Sequence, residues 1–306
     1  MSRPSTPTGA VPHAANPRLA RFDPLERVLY FDDFDGGTRG WTAHIGNYEG
    51  SLDTLLTPYA DLRPAQLSNL TMWDVGSMGA MDGTYALKLA TRPVPGHMAI
   101  LIKRQTWREM ADVRFEAYLA YKPEPAELVL GELDVRAFGV GFDLQDDETR
   151  WMPQYRFLNA EGGRPAAGDV TDQARRATPR GKWQQRDATS AFHTIGGTGR
   201  TVSHWHLADE GWHDVPGGQQ VMCYNEIPTK VNWFYLRVDL DLRRRRVTRL
   251  QCNDLVMGAE PLEFIAFAAM PNLRGMLNAF LWVQTDTAKR AFLYVDSVVL
   301  STGGAA

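Results

Sequence analysis

Between Cys223 and Trp233 the chain reads Cys-Tyr-Asn-Glu-Ile-Pro-Thr-Lys-Val-Asn-Trp. Asn225, Glu226, Lys230, Asn232 and Trp233 thus gather around one proline. Amides and charges of this kind hydrogen-bond sugar hydroxyls, and an indole face stacks on sugar C–H groups. A carboxylate beside an ammonium also shifts both pKa values, which suits acid/base work. In the catalytic reading Glu226 is the acid/base, Lys230 tunes it, and Asn225, Asn232 and Trp233 bracket the substrate. In the plainer reading a structural Lys–Glu pair closes a polar loop.

A second dense string is Asp143-Leu-Gln145-Asp146-Asp147-Glu148-Thr-Arg150-Trp151. Asp pairs are turn formers, so a hairpin is expected here. Such a turn places Gln145, Asp146 and Arg150 at the rim of a site, with Asp146 as a second carboxylate. The preceding Phe138-Gly-Val-Gly-Phe permits close approach of another backbone or a ligand. A third string, His204-Trp-His206, puts two imidazoles on one face if extended, near Asp209, Glu210, His213 and Asp214. With a carboxylate such a pair can hold a divalent metal, zinc among them. The alternative is a lid whose histidines bond to backbone.

These residues must be carried by short strands. Period-2 stretches run over 28–34, 85–91, 97–107, 112–121, 135–145, 151–158, 219–224, 233–242, 247–253, 279–286 and 291–300. Turn residues separate them, and no long amphipathic helix is present, which argues for a sandwich or barrel. In the stretch from Trp233, Phe234, Leu236, Val238, Leu240 and Leu242 share one face. Tyr235, Arg237, Asp239 and Asp241 share the other with Trp233, because successive side chains alternate. Gln251 faces away from Leu250 and Cys252, Gln154 shares a face with Arg156, and Arg114, Glu116 and Tyr118 share another. Side by side, these strands would present one continuous polar and aromatic surface, on which Gln154, Arg156, Gln251 and Trp233 hold substrate. Residues 1–27 read as an extended arm, with four prolines before residue 23, and 28–302 as a single domain. The stretch 159–218 reads as an irregular, Gly-, Arg- and Trp-rich insert that could close over the site.

Composition narrows the choices. A net charge of -3 over 306 residues draws the chain to neither nucleic acid nor acidic membrane. Arg243 to Arg246 lacks interleaved aromatics and reads as a solvated turn between strands. The first residues lack the apolar run of a signal peptide, and no stretch approaches the ~18 apolar residues of a membrane span, so the expected location is cytoplasmic. Cys223 and Cys252 read as buried free thiols in neighbouring strands, with a single bridge as the alternative. No Gly-rich phosphate loop, Gly-x-Ser-x-Gly elbow or nicotinamide fingerprint occurs.

Three segments carry a family resemblance. Leu29-Tyr-Phe-Asp-Asp-Phe-Asp-Gly-Gly with Gly40-Trp41 resembles the first strand of concanavalin A-like lectin/glucanase jelly rolls. Phe292-Leu-Tyr-Val-Asp-Ser-Val-Val-Leu resembles their last, and Asn232 to Leu242 with Val247 to Asn253 resembles a paired unit between. The resemblance implies an all-β, two-sheet antiparallel jelly-roll sandwich (concanavalin A-like) over roughly 28–300. It also implies adjacent first and last strands, where related modules bind calcium; Asp32, Asp33 and Asp296 are the ligands such a site would use, and turn or edge carboxylates are the plainer reading. The resemblance argues against one activity. Retaining glucanases of this fold carry Glu-x-Asp-x-x-Glu, but here Glu132-Leu-Asp134 is followed by Ala137 at the third position. The carboxylate pair at ~5 Å cannot be assembled from that strand.

Three function classes follow. The first is a carbohydrate-active enzyme, hydrolysing a glycoside or eliminating across an oxidised (3-keto) sugar. The second is a non-catalytic glycan-binding module. The third is an accessory subunit that binds a protein partner. Unpaired edges and a free arm also suit a homo-oligomer.

Overall fold

The computed structural model describes residues 16–43, 65–68, 79–124, 132–162, 178–186, 211–223, 231–258, 266–269 and 274–304. The chain opens with β1 (Arg27–Asp32), β2 (Trp41–Ala43), β3 (Gln66–Ser68), β4 (Ala86–Ala90), β5 (Met98–Lys103) and β6 (Asp112–Pro123). Next come β7 (Val135–Gln145), β8 (Thr149–Trp151), β9 (Gln154–Glu161), β10 (Thr178–Arg186) and β11 (Trp212–Gln219). It closes with β12 (Phe234–Asp241), β13 (Arg246–Cys252), β14 (Leu255–Met257), β15 (Ala266–Ala268), β16 (Met276–Thr285) and β17 (Ala291–Gly303).

These strands form two antiparallel sheets. Among the described residues, sheet A has eight strands in the order β14-β13-β12-β6-β17-β4-β3, with β1 also on β17. Sheet B has nine among the described residues, β11-β10-β9-β7-β16-β5-β2, with β8 on β7 and β15 on β8. From β4 to β7 the chain changes sheet at every step, and β16 and β17 do so again, which is the jelly-roll sandwich expected from the sequence. The first and last strands pair, Asp32 opposite Val298.

The alternation predicted for the strand after Trp233 holds: Phe234, Leu236, Val238 and Leu240 are buried between the sheets. Sheet B answers with Phe138, Val140, Phe142 and Leu144. Rings join the layers edge-on at Phe115–Phe142, centroids 5.6 Å apart, and stacked at Tyr121–Phe138, 5.1 Å apart. Each large side chain so buried contributes about 1.5–3 kcal/mol. In β17 the alternation changes phase at a bulge on Ser297, which has φ 56°. Leu293 and Val295 before it and Val298 and Leu300 after it all face the core.

Three boundaries differ from expectation. Pro153 splits 151–158 into β8 and β9, and its carbonyl accepts from Phe142 N at 3.0 Å. The strand expected at 219–224 lies earlier, at 212–219. The stretch expected to be irregular holds β10 and β11, which extend sheet B to its edge. Their Pro, Gly and charged residues mask the usual apolar alternation, and edge strands tolerate them.

Part of the expected arm is described. A 3-10 turn at Pro17–Arg21 and the residues after it lie on the outer face of sheet A. Leu19 and Phe22 pack on Val299, and the Phe22 ring meets Tyr118 at 5.4 Å. Asp23 N donates to Glu116 Oε1 at 2.8 Å and Leu25 N to Ser301 Oγ at 2.9 Å.

Candidate functional site

The outer face of sheet B carries a dense polar and aromatic group whose side chains the strands themselves position. Its pairing register sets Asp214, Gln184, Arg156, Gly139, Trp282 and Ile100 side by side across β11, β10, β9, β7, β16 and β5. A neighbouring row runs Gln154, Gly141, Phe280, Ile102. Trp212 and Arg186 are opposite each other at the β11 edge. One half of the face is therefore polar and the other apolar.

The polar half is tightly bonded. Arg156 Nε donates to Gln184 Oε1 at 2.8 Å, and Gln184 Nε2 donates to Asp214 Oδ1 at 2.8 Å. Lys182 Nζ holds the other oxygen of Asp214 at 2.7 Å. Arg186 Nη1 lies 3.5 Å from Gln154 Oε1. The guanidinium carbons of Arg156 and Arg186 stand 4.4 and 5.3 Å from the Trp212 ring centroid, a cation–π arrangement. Trp212 and Trp282 are 5.9 Å apart. Burial alone would raise the Asp214 carboxyl. Donation from Lys182 and Gln184, with the charges of Lys182 and Arg156, holds it below the ordinary carboxylate range. Asp214 is thus an ionised acceptor at neutral pH. Gln154 is 1% exposed, and its Nε2 has no hydrogen-bond partner among the described residues. A buried donor left open in this way is what a bound hydroxyl or carbonyl would satisfy.

The two glycines of Phe138-Gly-Val-Gly-Phe142 explain how the apolar half is built. A Cβ on Gly139 would stand 2.3 Å from Trp282 Cε2, and one on Gly141 2.2 Å from Phe280 Cζ. The close approach they permit is that of two rings from the adjacent strand. Those rings cover the two glycines of β7 and form an apolar floor with Met98, Ile100 and Ile102.

The structure brings together only part of the expected set. Gln154 and Arg156 are in this cluster. Trp233 and Gln251 are on the outer face of sheet A, on β12 and β13 or beside them, so the single continuous surface expected from alternation is two faces turned away from each other. Alternation separates inside from outside in each strand; it does not say which sheet the strand joins. Asn232 precedes Trp233, which packs with Phe292 and Tyr294. Gln251 accepts from Arg249 Nη2 at 2.7 Å and donates to Asn253 O at 2.7 Å. Asn225, Glu226, Lys230, His204 and His206 lie outside the described residues.

The predicted turn forms, and it uses its own charges. Asp146 Oδ1 accepts from Glu148 N at 2.8 Å and Thr149 N at 2.7 Å, while Oδ2 accepts from Arg245 Nε at 2.7 Å. Burial would raise its carboxyl, but Arg245 and those two amides hold it below the ordinary range. Arg150 grips Asp143 through two bonds of 2.7 Å. Gln145 is buried beside them, opposite Arg150 in the β7–β8 pairing.

The acidic residues expected as calcium ligands have other partners. Asp33 takes Arg18 Nη1 at 2.5 Å, and Asp32 takes Lys103 Nζ at 2.5 Å and Trp41 Nε1 at 2.9 Å. Asp296 accepts from Asp82 N at 3.0 Å and Ser297 Oγ at 3.1 Å, and burial pushes its carboxyl up to about 6. Among the described residues no three His, Cys, Asp or Glu side chains are grouped as a metal would require. Both cysteines are free; Cys252 is buried as expected, but Cys223 is exposed. Among the described residues no helix is long and apolar enough to cross a membrane.

Gln184, Arg186, Trp212 and Trp282 were absent from the sequence-derived set. A signal existed in Lys182-Trp-Gln-Gln-Arg186, where polar residues alternate around Trp183, which is fully buried.

Fold and face together define a jelly-roll sandwich with a polar and aromatic cluster on the outside of one sheet. The chain belongs to the family described as Domain of unknown function (DUF6772), whose model matches residues 10–304. No curated protein matches the sequence. Similar solved structures include the endo-1,3-β-glucanase from Streptomyces sioyaensis, 12% identical over 91% of this chain and 97% of that one, TM-score 0.37. Lectin UEA-II complexed with galactose is 9% identical over 73% of this chain and 89% of that one, TM-score 0.35. The carbohydrate recognition domain of Emp47p is 11% identical over 88% of this chain and 97% of that one, TM-score 0.34.

Proposed function

We propose that this chain recognises a carbohydrate on the outer face of sheet B. The observation that carries the reading is the row in which Gln184 and Arg156 stand beside Trp282, with Trp212 and the open amide of Gln154 next to them. Guanidinium and amide donors suit hydroxyl and carbonyl oxygens, an ionised Asp214 suits hydroxyl hydrogens, and the indoles suit the apolar face of a sugar ring. The catalytic form of this reading is hydrolysis of a glycoside or β-elimination of a 3-keto sugar, with Glu226 as acid/base and Lys230 tuning it.

The test is incubation of the purified protein with a panel of glycosides and their 3-keto derivatives, products being read by mass spectrometry. Calorimetry on the same panel reads affinity. Saturable binding weakened by Arg156→Ala supports recognition on this face. Product that disappears in Glu226→Gln while affinity persists supports catalysis, and its mass separates water addition from elimination. No binding to any member of the panel overturns the carbohydrate reading.

A further inference from the structure

A second polar cleft, of about 320 Å³, lies at one end of the sandwich, lined by the β7–β8 and β12–β13 turns and by residues near Arg108 and Gly275. Four arginines line it: Arg108, Arg243, Arg245 and Arg274. Among the described residues, carboxylates pair with Arg245 alone of the four. Its Nε meets Asp146 at 2.7 Å and its Nη2 meets Glu148 at 3.3 Å, which ties the two turns together across the sheets. Arg243 donates to the carbonyl of Gly304, a bond that leaves its charge unanswered. Arg108 and Arg274 are exposed and form no ion pair among the described residues.

The closeness of Arg108 to Arg274 is built into the backbone. Gly275 has φ +98°, and a Cβ there would stand 2.1 Å from Trp107 O and 3.0 Å from Arg108 Cγ. Only glycine allows the Arg274–Gly275 backbone to lie against Trp107 and Arg108. Holding like charges around one cleft opposes folding through mutual repulsion, and a bound anion relieves that repulsion. Guanidinium forks match tetrahedral oxyanions through paired N–H donors.

We propose that this cleft binds a small molecule bearing a phosphate or sulfate group, held by Arg108, Arg243 and Arg274. Asp147 on the cleft lining and a net charge of -3 disfavour an extended polyanion such as nucleic acid.

The full chain is titrated by calorimetry with inorganic phosphate, inorganic sulfate, glucose 6-phosphate and glucose 6-sulfate, with glucose as the neutral control. The expected result is saturable binding of the anions and none of glucose. Arg108→Gln and Arg274→Gln each weaken it at least tenfold, Arg274→Lys weakens it less, and Arg180→Gln on the exposed part of β10 leaves it unchanged. Tighter binding of the phosphate ester than of the sulfate ester identifies the first source, and the reverse order the second. No saturable binding by any anion, or equal binding in the parent and both glutamine variants, overturns the proposal. Circular dichroism confirms that each variant is folded; the lysine variant keeps the charge and tests the fork even if a glutamine variant is not.

Discussion

Arg237 on sheet A and Arg156 on sheet B both project outward from a mid-sheet strand, but different groups meet them. Arg237 grips Asp239 at 2.7 Å and Asp23 at 3.0 Å, and Asp23 belongs to the N-terminal segment folded over that face. Arg114 joins the same two carboxylates at 2.9 and 2.8 Å. Arg156 meets the amide of Gln184 and the ring of Trp212, and its charge acts on Asp214. The chain closes one face with ion pairs and an aromatic anchor of its own. The other face it furnishes with amides, guanidinium groups and indoles. An outward polar residue in a strand is therefore no sign of a site until its partners are known.

The contrast can be broken by mutation, beginning with the closed face. Phe22→Ala removes the ring that anchors the segment on Tyr118 and Phe31. A loss of about 3–5 kcal/mol is expected in denaturant unfolding, with sugar affinity unchanged. An equal loss of affinity would mean that the two faces are coupled.

Asp296 gives a pH-dependent test on the same sheet. Burial lifts its carboxyl from 3.8 to about 6, so the native state holds the proton more tightly than the unfolded chain does. The stabilisation is present below about pH 4 and is lost as pH rises through about 6. Asp296→Asn should leave stability at pH 4 little changed and exceed the parent by up to about 3 kcal/mol at pH 8. A constant difference between the two proteins from pH 4 to 8 would refute this assignment.

On the outer face of sheet B, Gly139→Ala pushes a methyl into the Trp282 ring. The expected cost is about 1–3 kcal/mol in unfolding, together with weaker sugar binding as the floor is displaced. A variant as stable as the parent would show that the ring moves aside freely. The smallest expected effect is that of Gln251→Ala, whose bonds on sheet A are local: a change within about 0.5 kcal/mol and no change in affinity.

Much of this organisation is legible in the sequence. Leu236, Val238 and Leu240 alternate with Arg237 and Asp239, and that period fixes which residues form the core. Asp143 to Arg150 announces its hairpin, and Arg243 to Arg246 its turn. The assignment of strands to sheets is not legible, because it depends on crossovers between distant segments. That is why Trp233 and Gln251 are expected beside Arg156 and in fact lie on the other sheet. The role of Gly139 and Gly141 is hidden for a related reason: the rings they accommodate come from β16, well over a hundred residues later. β10 and β11 are hidden by their Pro and Gly residues, and with them Gln184, Arg186 and Trp212.

The most direct measurement is calorimetric titration of one carbohydrate panel into the parent, Arg156→Ala on sheet B and Trp233→Ala on sheet A. Recognition on sheet B predicts that affinity falls at least tenfold in Arg156→Ala and is retained in Trp233→Ala. Loss in Trp233→Ala with full binding in Arg156→Ala would contradict it and move the carbohydrate site to the other face of the sandwich.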